Sequence, residues 1–149
     1  MSLRRLLEQQ QSRLGALNRL LENEQAQLIS GTIDGQQLEN IAQKKSQLLS
    51  SLEDTESNRV RVQLRLGYAM GGDGARQAAM DVGCLDQWQA TLELAADTAR
   101  LNERNGRLAR LRMTHNQQML DYIHSIAEKS VYAPDGRTMT GQRRLNTSA

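Results

Sequence analysis

A chain of 149 residues is the size of one domain, but with 38% hydrophobic residues, 3% aromatics, no Phe and one Pro it lacks the bulk for a thick globular core. Nineteen Lys and Arg residues against 17 Asp and Glu give a net charge of +2, too close to balance to identify a polyanion as partner. The single Cys84 excludes an internal disulfide and a zinc framework, and no apolar run reaches the roughly 18 residues of a membrane span.

Leu, Gln, Glu, Arg and Ala dominate instead, the composition of long amphipathic helices. The N-terminus is basic but carries no apolar segment of the secretory kind, so the expected compartment is the cytoplasm, without stable membrane insertion. From Leu3, alternating steps of four and three residues meet Leu7, Gln10, Leu14, Leu17, Leu21, Glu24 and Leu28, a heptad seam widened by Leu6 and Leu20. Turn and cap residues at 30–35 (Ser-Gly-Thr-Ile-Asp-Gly) end it, and Asp34 is placed to cap the next helix.

A second seam runs through Leu38, Ile41, Lys45, Leu48, Leu52, Thr55, Arg59, Val62, Leu66 and Ala69, and Gly71, Gly72 and Gly74 then suggest a flexible turn. The stretch 71–83 reads as a linker in which 75–80 form at most a short helical turn. A third seam follows Leu85, Trp88, Leu92, Ala95, Ala99, Asn102, Gly106, Ala109, Met113, Asn116, Leu120, Ile123 and Ala127. It keeps step for about 43 residues, or about 65 Å, against about 40 and 50 Å for the first two helices. The expected fold is all-α: an elongated antiparallel three-helix bundle with coiled-coil packing and an overhanging third helix. Its boundaries are about 2–29, 34–69 and 84–129 within a bundle 1–129, followed by a mobile basic tail over 130–149.

Catalytic chemistry finds no anchor. His115 and His124 lie nine residues apart, on opposite sides of a continuous helix, and each reads as a surface residue. Cys84 reads as a packed residue at the third helix start, although a helix N-terminus lowers a thiol pKa. The glycines at 71–74 lack the Gly-Lys-Ser/Thr of a phosphate loop, and Asn146-Thr147-Ser148 matches a glycosylation sequon only by chance in a chain with no secretory route. The carboxylates are scattered, so no enzyme activity and no cofactor is expected.

Arg100, Arg104 and Arg107 share a helix face near Arg110 and Arg112, and the default reading is a solvated face, with an acidic protein partner second. Nucleic acid is not expected, because stacking aromatics are missing. Asn102 and Gly106 occupy seam positions in mid-helix, where glycine costs about 1 kcal/mol relative to alanine. Close helix approach with Asn102 fixing register, or contact with a partner, both explain them. Downstream, Leu108, Leu111, Met113, Met119, Leu120, Ile123 and Ile126 exceed what one narrow seam hides, which favours a partner-binding surface over completion of a core or dimer interface.

Five segments stand in order along the chain: Gly31-Thr32-Ile33-Asp34-Gly35-Gln36-Gln37-Leu38, Lys45-Ser46-Gln47-Leu48-Leu49, Gln87-Trp88-Gln89-Ala90, Leu101-Asn102-Glu103-Arg104-Asn105-Gly106 and Tyr132-Ala133-Pro134-Asp135-Gly136. In these ordered features the chain resembles the FlgN family of flagellar type III export chaperones. The Asn-x-x-Asn-Gly and Tyr-x-x-Asp-Gly elements are the specific ones, and Arg107 and Ala109 depart from the apolar residues common after Asn-Gly. The resemblance implies a cytosolic chaperone that binds hook–filament junction (hook-associated) proteins, prevents premature assembly and delivers them to the export gate. By the same carry-over, the seven apolar residues from Leu108 to Ile126 are the client surface, and Tyr132, Asp135 and Gly136 contact the cytoplasmic domain of the gate. Export ATPase components are a further implied partner. The competing readings are a structural coiled coil that only self-associates and, behind it, a basic helical nucleic-acid binder.

Overall fold

A computed structural model of the chain describes residues 1–132, with side chains through residue 130. Of the tail expected over 130–149, residues 133–149 lie outside the described residues, and the helix that ends the description runs through residue 132. The described chain is helical, in four segments: α1 (Leu3–Ile29), α2 (Gly35–Arg65), α3 (Gly72–Val82) and α4 (Leu85–Tyr132). The all-α class is therefore as read from the sequence, with one helix more than expected. Residues fall into two compact units, Met1–Leu108 and a second that starts at Ala109.

In the first unit α1 supplies the seam. Leu3, Leu7, Gln10, Leu14, Leu17 and Leu21 are all buried, as the four-and-three spacing requires, and Leu6 joins them. Ser2 caps α1 by accepting from the Arg5 amide at 3.3 Å. Asp34 caps α2 as anticipated: its Oδ1 accepts from the Gln36 and Gln37 amides at 3.1 and 3.2 Å, satisfying two donors that the first turn leaves open. Gln10 bonds to Glu56, Arg13 to the Ser51 carbonyl and Lys45 to Glu24, so residue numbers rise on α1 as they fall on α2, and the pair is antiparallel.

The expected linker 71–83 is a true helix. Alanine is the strongest helix former, and the buried face of α3 is Gly74, Ala75, Ala78 and Ala79, small residues that let backbones approach closely. Gly74 has no room for a side chain: a Cβ there would collide with the Ala69 carbonyl. Gly83 ends α3 in the left-handed region (φ 75°), with Gly83 N–H bonding Met80 O at 3.1 Å and Cys84 N–H bonding Ala79 O at 2.8 Å. Arg4 donates to the Gly83 carbonyl at 2.8 Å and so ties the start of α1 to this turn. Leu3, Leu7, the α3 alanines, Cys84 and Trp88 form one buried cluster, flanked by Val62, Tyr68 and Leu85.

The part of α4 within this unit meets α1 through polar residues. Gln11 Nε2 donates to Gln87 O (2.9 Å) and Thr91 Oγ1 (3.2 Å). Thr98 bonds Asn18, and Asn105 Nδ2 donates to Leu21 O (2.6 Å) and Glu24 Oε1 (3.0 Å). Thr91, Thr98 and Asn105 recur every seven residues, and their partners rise in number with them, so α1 and this part of α4 run parallel. The buried face of this helix keeps Trp88 of the expected seam but beyond it is displaced by one residue. The buried positions are Cys84, Trp88, Thr91, Thr98 and Asn105, whereas Asn102 is exposed and Gly106 half-buried. Of the two asparagines in the mid-helix element, Asn105 is the one that fixes register.

Candidate functional site

The apolar stripe expected to be the seam of the last helix lines an open groove instead. Trp88, Leu92, Ala95, Ala99 and Asn102 of α4 form one wall, Lys45, Leu49, Leu52 and Glu56 of α2 the other, and Gln10, Leu14, Leu17 and Leu21 of α1 the floor. Two clefts of 260 and 280 Å³ share Leu14, Leu52 and Ala95 and together make this groove, wholly within the first unit. Leu49 and Leu92 on its rims are 48% and 49% exposed. Wall and floor residues all step by four and three, so the groove offers heptad-spaced holes of the kind a helix fills with its own side chains.

Its ends are polar and of opposite character. At one end Glu56 accepts from Gln10 Nε2 (2.7 Å) and from Arg59 Nε and Nη2 (2.8 and 2.6 Å). Arg59 is buried, donates also to Gln63 Oε1 at 2.8 Å, and stacks 4.9 Å from the Trp88 ring centroid. The Arg59 guanidinium holds the Glu56 carboxyl below its ordinary value against the opposing pull of partial burial, and Gln10 adds to the lowering. Gln63 completes the chain by donating to the Ala69 and Gly71 carbonyls, cinching the loop before α3. Gln10 is 6% exposed, and its Oε1 has no hydrogen-bond partner among the described residues. At the other end Lys45 reaches both Glu24 oxygens at 3.2 Å.

The second unit presents apolar residues of a different kind. Leu111, Met113, Met119, Leu120, Ile123 and Ile126 are each about half exposed or more, up to 71% for Met113, and Leu108, at the end of the first unit, is half-buried. At about 100° per residue, Leu108, Met119, Ile123 and Ile126 share a sector about 60° wide, Leu111 lies at one margin, and Leu120 and Met113 at the other. Tyr122, unassigned from the sequence, is also 66% exposed. Tyr132 ends α4 with its side chain outside the described positions, and Asp135 and Gly136 lie outside the described residues.

The other sequence candidates take ordinary places. Arg100 pairs with Asp97 and Arg107 with Glu103, while Arg104 donates to Asn105 Oδ1 at 3.3 Å. These arginines line a cleft with Asn18, Glu22 and Leu101, in which acids balance much of the positive charge. His115 and His124 are exposed. Cys84 is buried, and burial pushes its thiol pKa up, outweighing the lowering by Arg4; the lowered pKa that a helix start suggested does not occur. Among the described residues no three His, Cys, Asp or Glu side chains cluster to hold a metal ion, and no helix is long and apolar enough to cross a membrane.

The family model described as FlgN protein matches residues 1–140. The chain is similar to Flagella synthesis protein FlgN of Salmonella typhimurium, with 32% identity over 93% of this chain and 91% of that protein. It is also similar to proteins of the same name in Yersinia enterocolitica (29% identity; 87% and 84% covered) and Escherichia coli K12 (28%; 93% and 91%). No solved structure matches the chain.

Proposed function

Because the chain belongs to the FlgN family, we propose that it works in flagellum assembly as an export chaperone rather than as an enzyme. In this reading it binds hook–filament junction proteins in the cytoplasm, keeps their amphipathic terminal helices from associating prematurely, and hands them to the cytoplasmic domain of the export gate. The observation that carries it is the row of exposed apolar side chains from Leu111 to Ile126. Apolar surface of that extent on a helix favours a partner that removes it from water. Met113 and Met119 suit several clients, since a thioether side chain adapts to differing surfaces.

No nucleotide is needed by the chaperone itself, since transport energy comes from the export machine, and export ATPase components are a second contact of the delivery step. Tyr132, Asp135 and Gly136 are the proposed gate contact, carried over from the family's Tyr-x-x-Asp-Gly element.

Copurification of the tagged full chain from its own cells, with mass spectrometry of bound proteins, tests the reading. Junction proteins are expected with the wild type and are lost with Leu120→Asp or Ile123→Asp, whereas Tyr132→Ala retains the client and loses delivery. Recovery of the chain alone, under flagellum-producing conditions, would instead favour a coiled coil that only self-associates.

A further inference from the structure

Sulfur is unevenly exposed in this chain. Cys84, the single thiol, is fully buried, and burial pushes its pKa up, so it offers an oxidant neither access nor thiolate. The thioethers are the reverse. Met1, Met70, Met80, Met113 and Met119 are all exposed, from 45% for Met80 to 73% for Met70, and Met139 lies outside the described residues. Of these five, Met113 and Met119 lie among the exposed apolar side chains of the second unit, whereas Met1, Met70 and Met80 belong to the first. Met119 falls within the sector it shares with Leu108, Ile123 and Ile126, and Met113 at its margin with Leu120. Leucine would give both positions similar apolar volume. What the thioether adds is an oxidisable sulfur held in water.

We propose that Met113 and Met119 form an oxidation switch in this apolar row: peroxide converts them to sulfoxides, and the converted surface lets go of its partner. The proposal rests on the chaperone reading above. In each conversion a sulfur lone pair attacks one peroxide oxygen, and the S–O bond forms as the O–O bond breaks. The sulfur gives up two electrons, and the leaving hydroxide takes the proton of the transferred oxygen and departs as water. The product is a polar acceptor in the middle of an apolar surface. Covering it without a donor costs more than covering a thioether, so the partner is held less tightly. A sulfoxide reductase fed by a dithiol reverses the step: the oxygen leaves as water and the dithiol becomes a disulfide.

The test uses the full chain and hydrogen peroxide, with mass mapping of every methionine and calorimetric titration against a purified junction protein before and after treatment. Met113 and Met119 should each gain an oxygen while Cys84 stays a thiol, and helix content should hold because both side chains are exposed. Affinity should fall about tenfold or more, and reductase treatment should restore it. A Met70→Leu, Met80→Leu double variant should lose affinity on oxidation as the wild type does. In a Met113→Leu, Met119→Leu double variant, whatever its starting affinity, the same treatment should change that affinity by about twofold or less. Wild-type affinity that stays within about twofold with both methionines oxidised would overturn the switch and leave the chaperone reading standing. An equal loss in the Met113→Leu, Met119→Leu variant would overturn it by placing the sensitivity elsewhere. A loss that tracks falling helix content would overturn it too, since oxidation would then act by unfolding. An untreated chain that binds no junction protein would overturn the switch and the chaperone reading together.

Discussion

The two stretches of α4 use hydrophobic and polar residues in opposite ways. Up to residue 105 the helix buries Thr91, Thr98 and Asn105 and leaves Leu92 half exposed; from Leu111 onward its leucines, isoleucines and methionines face water. A buried hydroxyl or amide is tolerated only when paired, and each of these three has a partner on α1. Exposed apolar side chains carry no such requirement but favour removal from water. The first stretch is thus specified largely by hydrogen bonds already made, the second by apolar contacts still open.

The largest effect that sharpens this contrast is in the core. Leu7→Ala, at a fully buried position, should cost about 2–5 kcal/mol in urea unfolding, while Leu120→Ala should change stability by about 0.5 kcal/mol or less and act on client affinity instead. Gly74→Val should cost about 1–3 kcal/mol, because even its Cβ meets the Ala69 carbonyl and the loop before α3 must shift. Asn105→Ala should cost about 1–3 kcal/mol by removing bonds to Leu21 and Glu24, and Asn102→Ala, at an exposed position, far less; thermal unfolding of the pair checks it.

The smallest effect is electrostatic. Glu56 titrates below its ordinary value in the folded chain, because Arg59 and Gln10 hydrogen-bond its charged form. Its contribution is therefore fully present above the ordinary carboxylate range and is lost as pH falls through the lowered folded value. The Glu56 side chain is half exposed, so the loss should be about 1 kcal/mol or less. Glu56→Gln should flatten the acid limb of melting temperature against pH, and an unchanged acid limb would assign acid sensitivity to other carboxylates.

Much of this fold is legible in the sequence where apolar spacing and capping agree. The leucines of α1 and the Asp34 cap fall where periodicity and turn chemistry place them. Two features escaped for physical reasons. The helix α3 packs with Gly74, Ala75, Ala78 and Ala79, whose small side chains give little hydrophobic contrast, and its opening glycines resemble a flexible turn. The phase of α4 was misread because hydrophobicity favours Leu92 over Thr91, whereas the contact with α1 is made by hydroxyls and an amide. A heptad repeat of Thr91, Thr98 and Asn105 was the available signal. The groove followed from that same displacement, since a seam turned by one residue leaves its apolar side facing outward. The supply of apolar residues beyond Leu108 was visible as composition; which partner covers them is a matter of chemistry outside a single chain.

The central claim is that the chain binds a junction protein through exposed apolar surface, and calorimetric titration of the purified full chain with a purified junction protein, at several temperatures, tests it most directly. A saturable complex with a negative heat-capacity change, weakened by Ile123→Asp without loss of helicity, is the predicted result. No binding, or binding unaffected by that substitution, would contradict it.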